Sequence, residues 1–268
     1  MAHSEQKSNT VLFLGSCMVN GYPFPYEQGF VHLACEHLRA RGLPVKPARL
    51  APAKTTQLTR FAEAIEQHKP GITVLQLGGL ETVLLLEDTI RGWFGIVKPK
   101  RVYDQHLHNS PFRTPWLKFK WRAVMTLKRI ADTLLLHPIV NLPEFRQNLR
   151  KAIEFVNERT NGPVVVLGLF PSADPVSQYY RNRMEPIFID ECARANVAYI
   201  NIAQAWRRDG LDSSYAHDPI HLNVRGHAWV ATQVADALEP FVRALAQPAG
   251  GAAIEQRPVS YSAPGSTR

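Results

Sequence analysis

Short runs of consecutive apolar residues, each followed by a stretch with helical spacing, constrain this chain more than any other feature. Val11-Leu-Phe-Leu14 ends at Gly15-Ser16, and from about Gln28 to Arg41 the positions Phe30, Leu33, Ala34 and Leu38 recur at helical intervals before Gly42. Pro44 to Leu50 reads as extended, Thr55 to His68 as helical through Leu58, Phe61, Ala62 and Ile65, and Pro70-Gly71 break the pattern. Ile72 to Leu77 is a further apolar run, ending at Gly78-Gly79. The alternation resumes with a helix from about Leu142 to Glu158, a strand from Pro163 to Leu169, a helix from Val176 to Ala195, a strand from Val197 to Ile202 and a last helix from Val224 to Ala244. Strands that are apolar along their length are buried on both faces, and strands that alternate with helices pair in parallel. The expected fold class is therefore α/β, a doubly wound three-layer α/β/α sandwich with a central parallel sheet. Ligands of such sheets sit at the carboxyl ends of the strands, which directs attention to the loops at Gly15-Ser16, Gly78-Gly79 and Gly168-Leu169.

With 268 residues, 45% of them hydrophobic and 20% charged, the chain can bury a large core and is not compositionally disordered. We expect one domain over residues 11–245, a polar flexible N-terminus over 1–10 and a flexible tail over 246–268. No apolar run approaches the roughly 20 residues of a spanning helix, and Val11 to Leu14 is too short for the core of a signal peptide. Three widely spaced cysteines, Cys17, Cys35 and Cys192, form neither a disulfide framework nor a zinc motif. A reducing, cytoplasmic location is the expectation.

Three features carry chemistry. Ser16 directly follows the first strand, which would hold its hydroxyl at the sheet edge with its N–H available to a developing oxyanion. Asp218-Pro219-Ile220-His221 lies just before the last helix, where the carboxylate can fix the tautomer of His221 and leave the other ring nitrogen to accept a proton from Ser16. Backbone amides at Gly78-Gly79-Leu80-Glu81 could complete an oxyanion site. Duller roles compete: a turn or cap for Ser16, packing for His221, a turn former for Asp218. Cys17 reads as a small buried hydrophobe in preference to a thiol nucleophile. His217 and His227 lack a carboxylate or cysteine partner set around His221, so neither a metal nor another cofactor is expected.

These blocks resemble the SGNH, or GDSL-like, hydrolase family over residues 11 to 240, the insertion described below excepted. Gly15-Ser16-Cys17-Met18 is similar to its first block, with Gly15 where the family has aspartate, and Asp218 to Asn223 with Gly226-His227 is similar to its last. The resemblance implies a flavodoxin-like sheet, Ser16 as nucleophile, His221 as base and Asp218 as its partner. In Leu50-Ala51-Pro52-Ala53-Lys54-Thr55-Thr56, Ala53 stands where the family has an oxyanion glycine, so the implied oxyanion donors are the N–H groups of Ser16, Ala53 and Gly79. Leu80 replaces an asparagine that donates from its side chain, and losing one such donor costs about 10²- to 10³-fold in rate. Either another group rebuilds the hole or the activity is slow or specialised.

The formal net charge of +8 has a single source. Between Ile90 and His137, within an insertion at about 88–140, ten basic residues face only Asp104 and Asp132, which accounts for the whole excess. Trp93, Phe112, Trp116, Phe119 and Trp121 are interleaved with them, and Leu117 to Leu136 has a helical pattern. The segment follows Gly78-Gly79, so these aromatics are candidates for a substrate lid. Alternatives are contact with an anionic membrane surface, docking of an acidic carrier, or aromatics packed on the sheet beneath a solvated charged face. Nucleic acid fits less well, since no recognition module is present. The sequence thus points to a serine esterase or acyl hydrolase acting on a small-molecule, lipid or acylated-sugar ester through an acyl-enzyme. An acyltransferase on the same scaffold and a binding protein with impaired catalysis remain open.

Overall fold

The computed structural model describes residues 8–81, 140–172, 175–211 and 221–246, together with the helical positions 119, 123, 126, 127 and 130. Five strands, β1 (Thr10–Gly15), β2 (Lys46–Leu50), β3 (Ile72–Gln76), β4 (Val164–Leu167) and β5 (Ala198–Ile200), form one sheet in the order β2-β1-β3-β4-β5, every pair parallel. That order is the flavodoxin-like one, in which connections diverge to opposite faces between β1 and β3 and open a crevice there. The helices described along their whole length are α1 (Phe30–Ala40), α2 (Leu58–His68), α3 (Leu142–Arg159), α4 (Pro175–Arg194), α5 (Ile202–Arg208) and α6 (Val224–Ala246). The doubly wound α/β architecture expected from the apolar runs is the one present.

Strand alternation divides the interior into two cores. Val11, Phe13, Ile72, Val74, Val165 and Leu167 pack with α1, α6 and Trp206 of α5 on one face. Leu12, Leu14, Leu75, Val164 and Val166 pack with α2, α3 and α4 on the other. Helix starts follow their caps: the Asn141 side chain accepts from Glu144 N–H at 3.3 Å, and that of Asn201 accepts from Gln204 N–H at 2.9 Å. The second cap belongs to α5, a seven-residue helix beginning where the sequence suggested that the last strand continues to Ile202.

Glu191, 1% exposed on α4, is held by Arg146, Arg150 and Arg194 at 3.2, 2.8 and 3.0 Å, which ties α3 to α4. Hydrogen bonds from Arg150 place its carboxyl below the usual range, against the opposing effect of burial. Among the described residues no helix is long and apolar enough to cross a membrane.

Candidate active site

The carboxyl ends of β1 and β3 meet at the crevice. Their register pairs Gly15 with Gln76, and a Cβ on residue 15 would lie 2.6 Å from the Gln76 carbonyl oxygen and 2.9 Å from its Cβ. This approach requires glycine where the resembling family has aspartate. Past β3 the chain turns at Gly78, whose φ of +90° is a left-handed conformation costly for a side chain, with Met184, Phe188 and Leu169 closing around it. The turn sets Gly79 over Ser16: a Cβ there would lie 3.6 Å from Ser16 Cβ and 3.9 Å from both Ser16 Oγ and Gln76 Nε2, ordinary contact distances.

Ser16 is 2% exposed and closely held. Its Oγ donates to Gln76 Oε1 at 2.5 Å, and its N–H is shared between that oxygen at 3.0 Å and the Gln76 carbonyl at 3.2 Å. The Ser16 N–H, expected to stand free for an oxyanion, is therefore already occupied. So is that of Ala53, which donates to the Gly15 carbonyl at 2.7 Å. Both corrections have one cause: the loops after β1 and β2 use these amides to fasten themselves to the sheet edge. The donor with capacity to spare is Gln76, 1% exposed, whose Nε2 has no hydrogen-bond partner among the described residues. Sequence reading passed over it as part of an apolar run, although an amide at the last position of a buried strand is a signal in itself.

His221 is fixed from its C-terminal side. Leu222 is fully buried, and the Asn223 side chain accepts from Gly226 N–H at 2.9 Å where α6 begins. The Tyr22 ring stands edge-on to the imidazole with centroids 4.6 Å apart. His221 Nε2 is 3.3 Å from Cys17 Sγ. Cys17, expected to be a small buried hydrophobe, is half-buried at the start of a 3-10 turn (Cys17–Asn20) and in contact with the catalytic histidine candidate. The turn ends the two-residue alternation of β1, so strand periodicity does not foretell where this side chain lies.

Glu81 also has a structural role. It accepts from Thr55 N–H at 2.8 Å and so ties the turn after β3 to the loop after β2. His227 is fully buried, its Nδ1 accepting from Phe30 N–H at 3.2 Å and its Nε2–H donating to the Tyr22 carbonyl at 3.4 Å. Burial lowers its pKa to about 4. Both ring nitrogens are thus engaged within the fold. Asp218, His217, Trp93, Phe112, Trp116 and Trp121 lie outside the described residues, and Phe119 is a helical position that is 64% exposed.

No family model matches the chain, and no curated protein matches it in sequence. Solved structures do. TesA is 16% identical, with a TM-score of 0.57, covering 87% of this chain and 99% of its own. The esterase EstA from Pseudoalteromonas sp. is 15% identical with a TM-score of 0.52, covering 88% of this chain and 100% of its own. A member of the lipolytic G-D-S-L family from Veillonella parvula is 14% identical with a TM-score of 0.53, over 87% of this chain and 98% of its own. At these identities the likeness establishes the fold, which is that of the SGNH and GDSL-like hydrolases.

Proposed function

We propose that this chain is an ester hydrolase in which Ser16, His221 and Asp218 act as nucleophile, base and orienting carboxylate. The supporting observation is the convergence at the β1–β3 crevice of a held serine hydroxyl, an amide donor with spare capacity and an anchored imidazole nearby. In the proposed reaction the hydroxyl leaves Gln76 and gives its proton to His221. Attack of Oγ on the ester carbonyl then forms the tetrahedral intermediate, while His221 takes the serine proton and returns it to the departing alkoxide. Water, activated by the same imidazole, releases the acid. Gln76 Nε2 and Gly79 N–H are the donors best situated for the oxyanion, with Gln76 supplying the side-chain amide that Leu80 cannot. No step calls for a cofactor.

The test is labelling with a fluorophosphonate probe, together with hydrolysis of p-nitrophenyl esters from acetyl to long acyl chains. Labelling and turnover in the natural protein, both lost in Ser16→Ala, are the expected result; a folded protein with neither activity is a binding protein and refutes the reading. Partition of the acyl group between water and added alcohols separates hydrolase from acyltransferase. The basic aromatic insertion is proposed as a lid that selects the acyl chain. Salt-sensitive binding to anionic vesicles, weakened by neutralising Lys118, Lys120, Arg122, Lys128 and Arg129, would instead assign it to a membrane surface.

A further inference from the structure

Two potential nucleophiles stand side by side in this crevice, and the imidazole contacts the one that the esterase reading leaves idle. Ser16 Oγ is bonded to the side-chain oxygen of Gln76, an amide that cannot act as a base. His221 Nε2 instead lies 3.3 Å from the sulfur of Cys17. A thiol within reach of an imidazole is the arrangement that activates sulfur for attack, because the base stabilises the thiolate as it forms. The other two cysteines differ in exposure: Cys35 and Cys192 are fully or almost fully buried, whereas Cys17 is half-buried. A second, independent feature points to a bound carbonyl. Gln76 Nε2, in a side chain 1% exposed, is unpartnered among the described residues and lies beside Gly79 and Ser16. An amide desolvated this fully is costly unless it meets an acceptor, and an acyl oxygen is an acceptor of fitting size and charge.

We propose that Cys17 is an acyl-accepting nucleophile that shares the base His221 with Ser16. The donor class is an acyl ester with a good leaving group. In the step, Sγ bonds to the acyl carbon as the bond from carbon to the leaving oxygen breaks. The thiol proton passes to His221 and from it to the leaving oxygen, and no redox change occurs. The product is a thioester on Cys17, which water or an alcohol can then cleave. The proposal rests on the acyl-ester reading of the crevice but not on Ser16 as the nucleophile.

The experiment treats the full chain with p-nitrophenyl acetate, quenches it in acid at early times, and weighs the protein before and after neutral hydroxylamine. That reagent cleaves thioesters and spares serine esters. The expected result is an acetyl adduct removed by hydroxylamine, retained in Ser16→Ala and converted to a resistant adduct in Cys17→Ser. A wild-type adduct that fully resists hydroxylamine and disappears in Ser16→Ala overturns the proposal while leaving the esterase standing. No adduct and no release of p-nitrophenol overturns both. A second measurement needs no change at the nucleophiles: iodoacetamide at neutral pH should alkylate Cys17 alone, and at least about tenfold more slowly in His221→Asn, where no imidazole stands beside the sulfur to take its proton. Equal rates in the two proteins would refute the pairing.

Discussion

Acidification should unfasten this protein through a histidine whose two ring nitrogens are both engaged within the fold. His227 is fully buried, its pKa is lowered to about 4 from an ordinary 6.5, and its two nitrogens join Phe30 N–H at the start of α1 to the Tyr22 carbonyl. Above pH 6.5 the ring is neutral whether the chain is folded or not, and its contribution to stability is complete. Between 6.5 and 4 the unfolded chain binds a proton that the folded one refuses, so stability falls as the pH drops, and below 4 the loss is complete. A depression of this size corresponds to about 3 kcal/mol. The assay is urea unfolding followed by circular dichroism at several pH values, comparing the natural protein with His227→Gln, whose amide can both accept and donate without titrating. The variant should start less stable at pH 7, and the gap should shrink by roughly 2 to 3 kcal/mol by pH 4.5. Carboxylates common to both proteins cancel in that difference. Parallel pH curves would refute the reasoning. Because Tyr22 also packs against His221, the proposed esterase activity should be lost as folded His227 takes up its proton near pH 4.

Gln76→Leu removes the spare donor and the hold on Ser16, and should lower kcat by about 10²- to 10³-fold with a smaller change in KM; unchanged kinetics would remove Gln76 from the site. Gly15→Ala places a methyl group 2.6 Å from the Gln76 carbonyl, and is expected to cost about 1–3 kcal/mol in unfolding free energy together with most of the activity. Glu191→Gln breaks the clasp between α3 and α4, more than 40 residues apart in sequence from Arg150, and should lower stability at pH 7 by about 2 kcal/mol. That loss should vanish below the ordinary carboxyl range, where the natural residue is itself protonated; a deficit that persists in acid would point to packing instead.

The architecture was legible because each buried strand announces itself as an apolar run and each long helix as a stripe. Ile202–Arg208 escaped because seven residues give barely two turns, and its apolar start continues that of β5 without a break. The places of Ser16 at the end of β1 and of His221 just before α6 were legible from the chain order. Cys17 was misjudged because residue type favours burial and cannot reveal a turn that brings sulfur to an imidazole. The bonds that occupy the Ser16 and Ala53 amides were not legible for a related reason: a backbone N–H has no sequence signature, and whether these two spend theirs on the fold is decided by how adjacent loops close on the sheet. Gln76 is the reverse case, a polar residue whose meaning emerges only once the strand register sets it against Gly15.

The crevice takes its parts from opposite sides of the sheet. His221 is carried by the layer containing Leu222 and α6, whereas the turn at Gly78 is wedged against Met184, Phe188 and Leu169 of the other layer. Distant core substitutions should therefore leave distinguishable kinetic fingerprints. Loosening the α1–α6 layer misaligns proton transfer and should register in solvent isotope effects. Loosening the α4 layer shifts the turn that carries Gly79, and should register in affinity for tetrahedral analogues such as boronates. The sheet thus acts as a common datum against which two separately packed layers must be aligned, and catalytic competence becomes a reporter of how well the two halves of the interior agree.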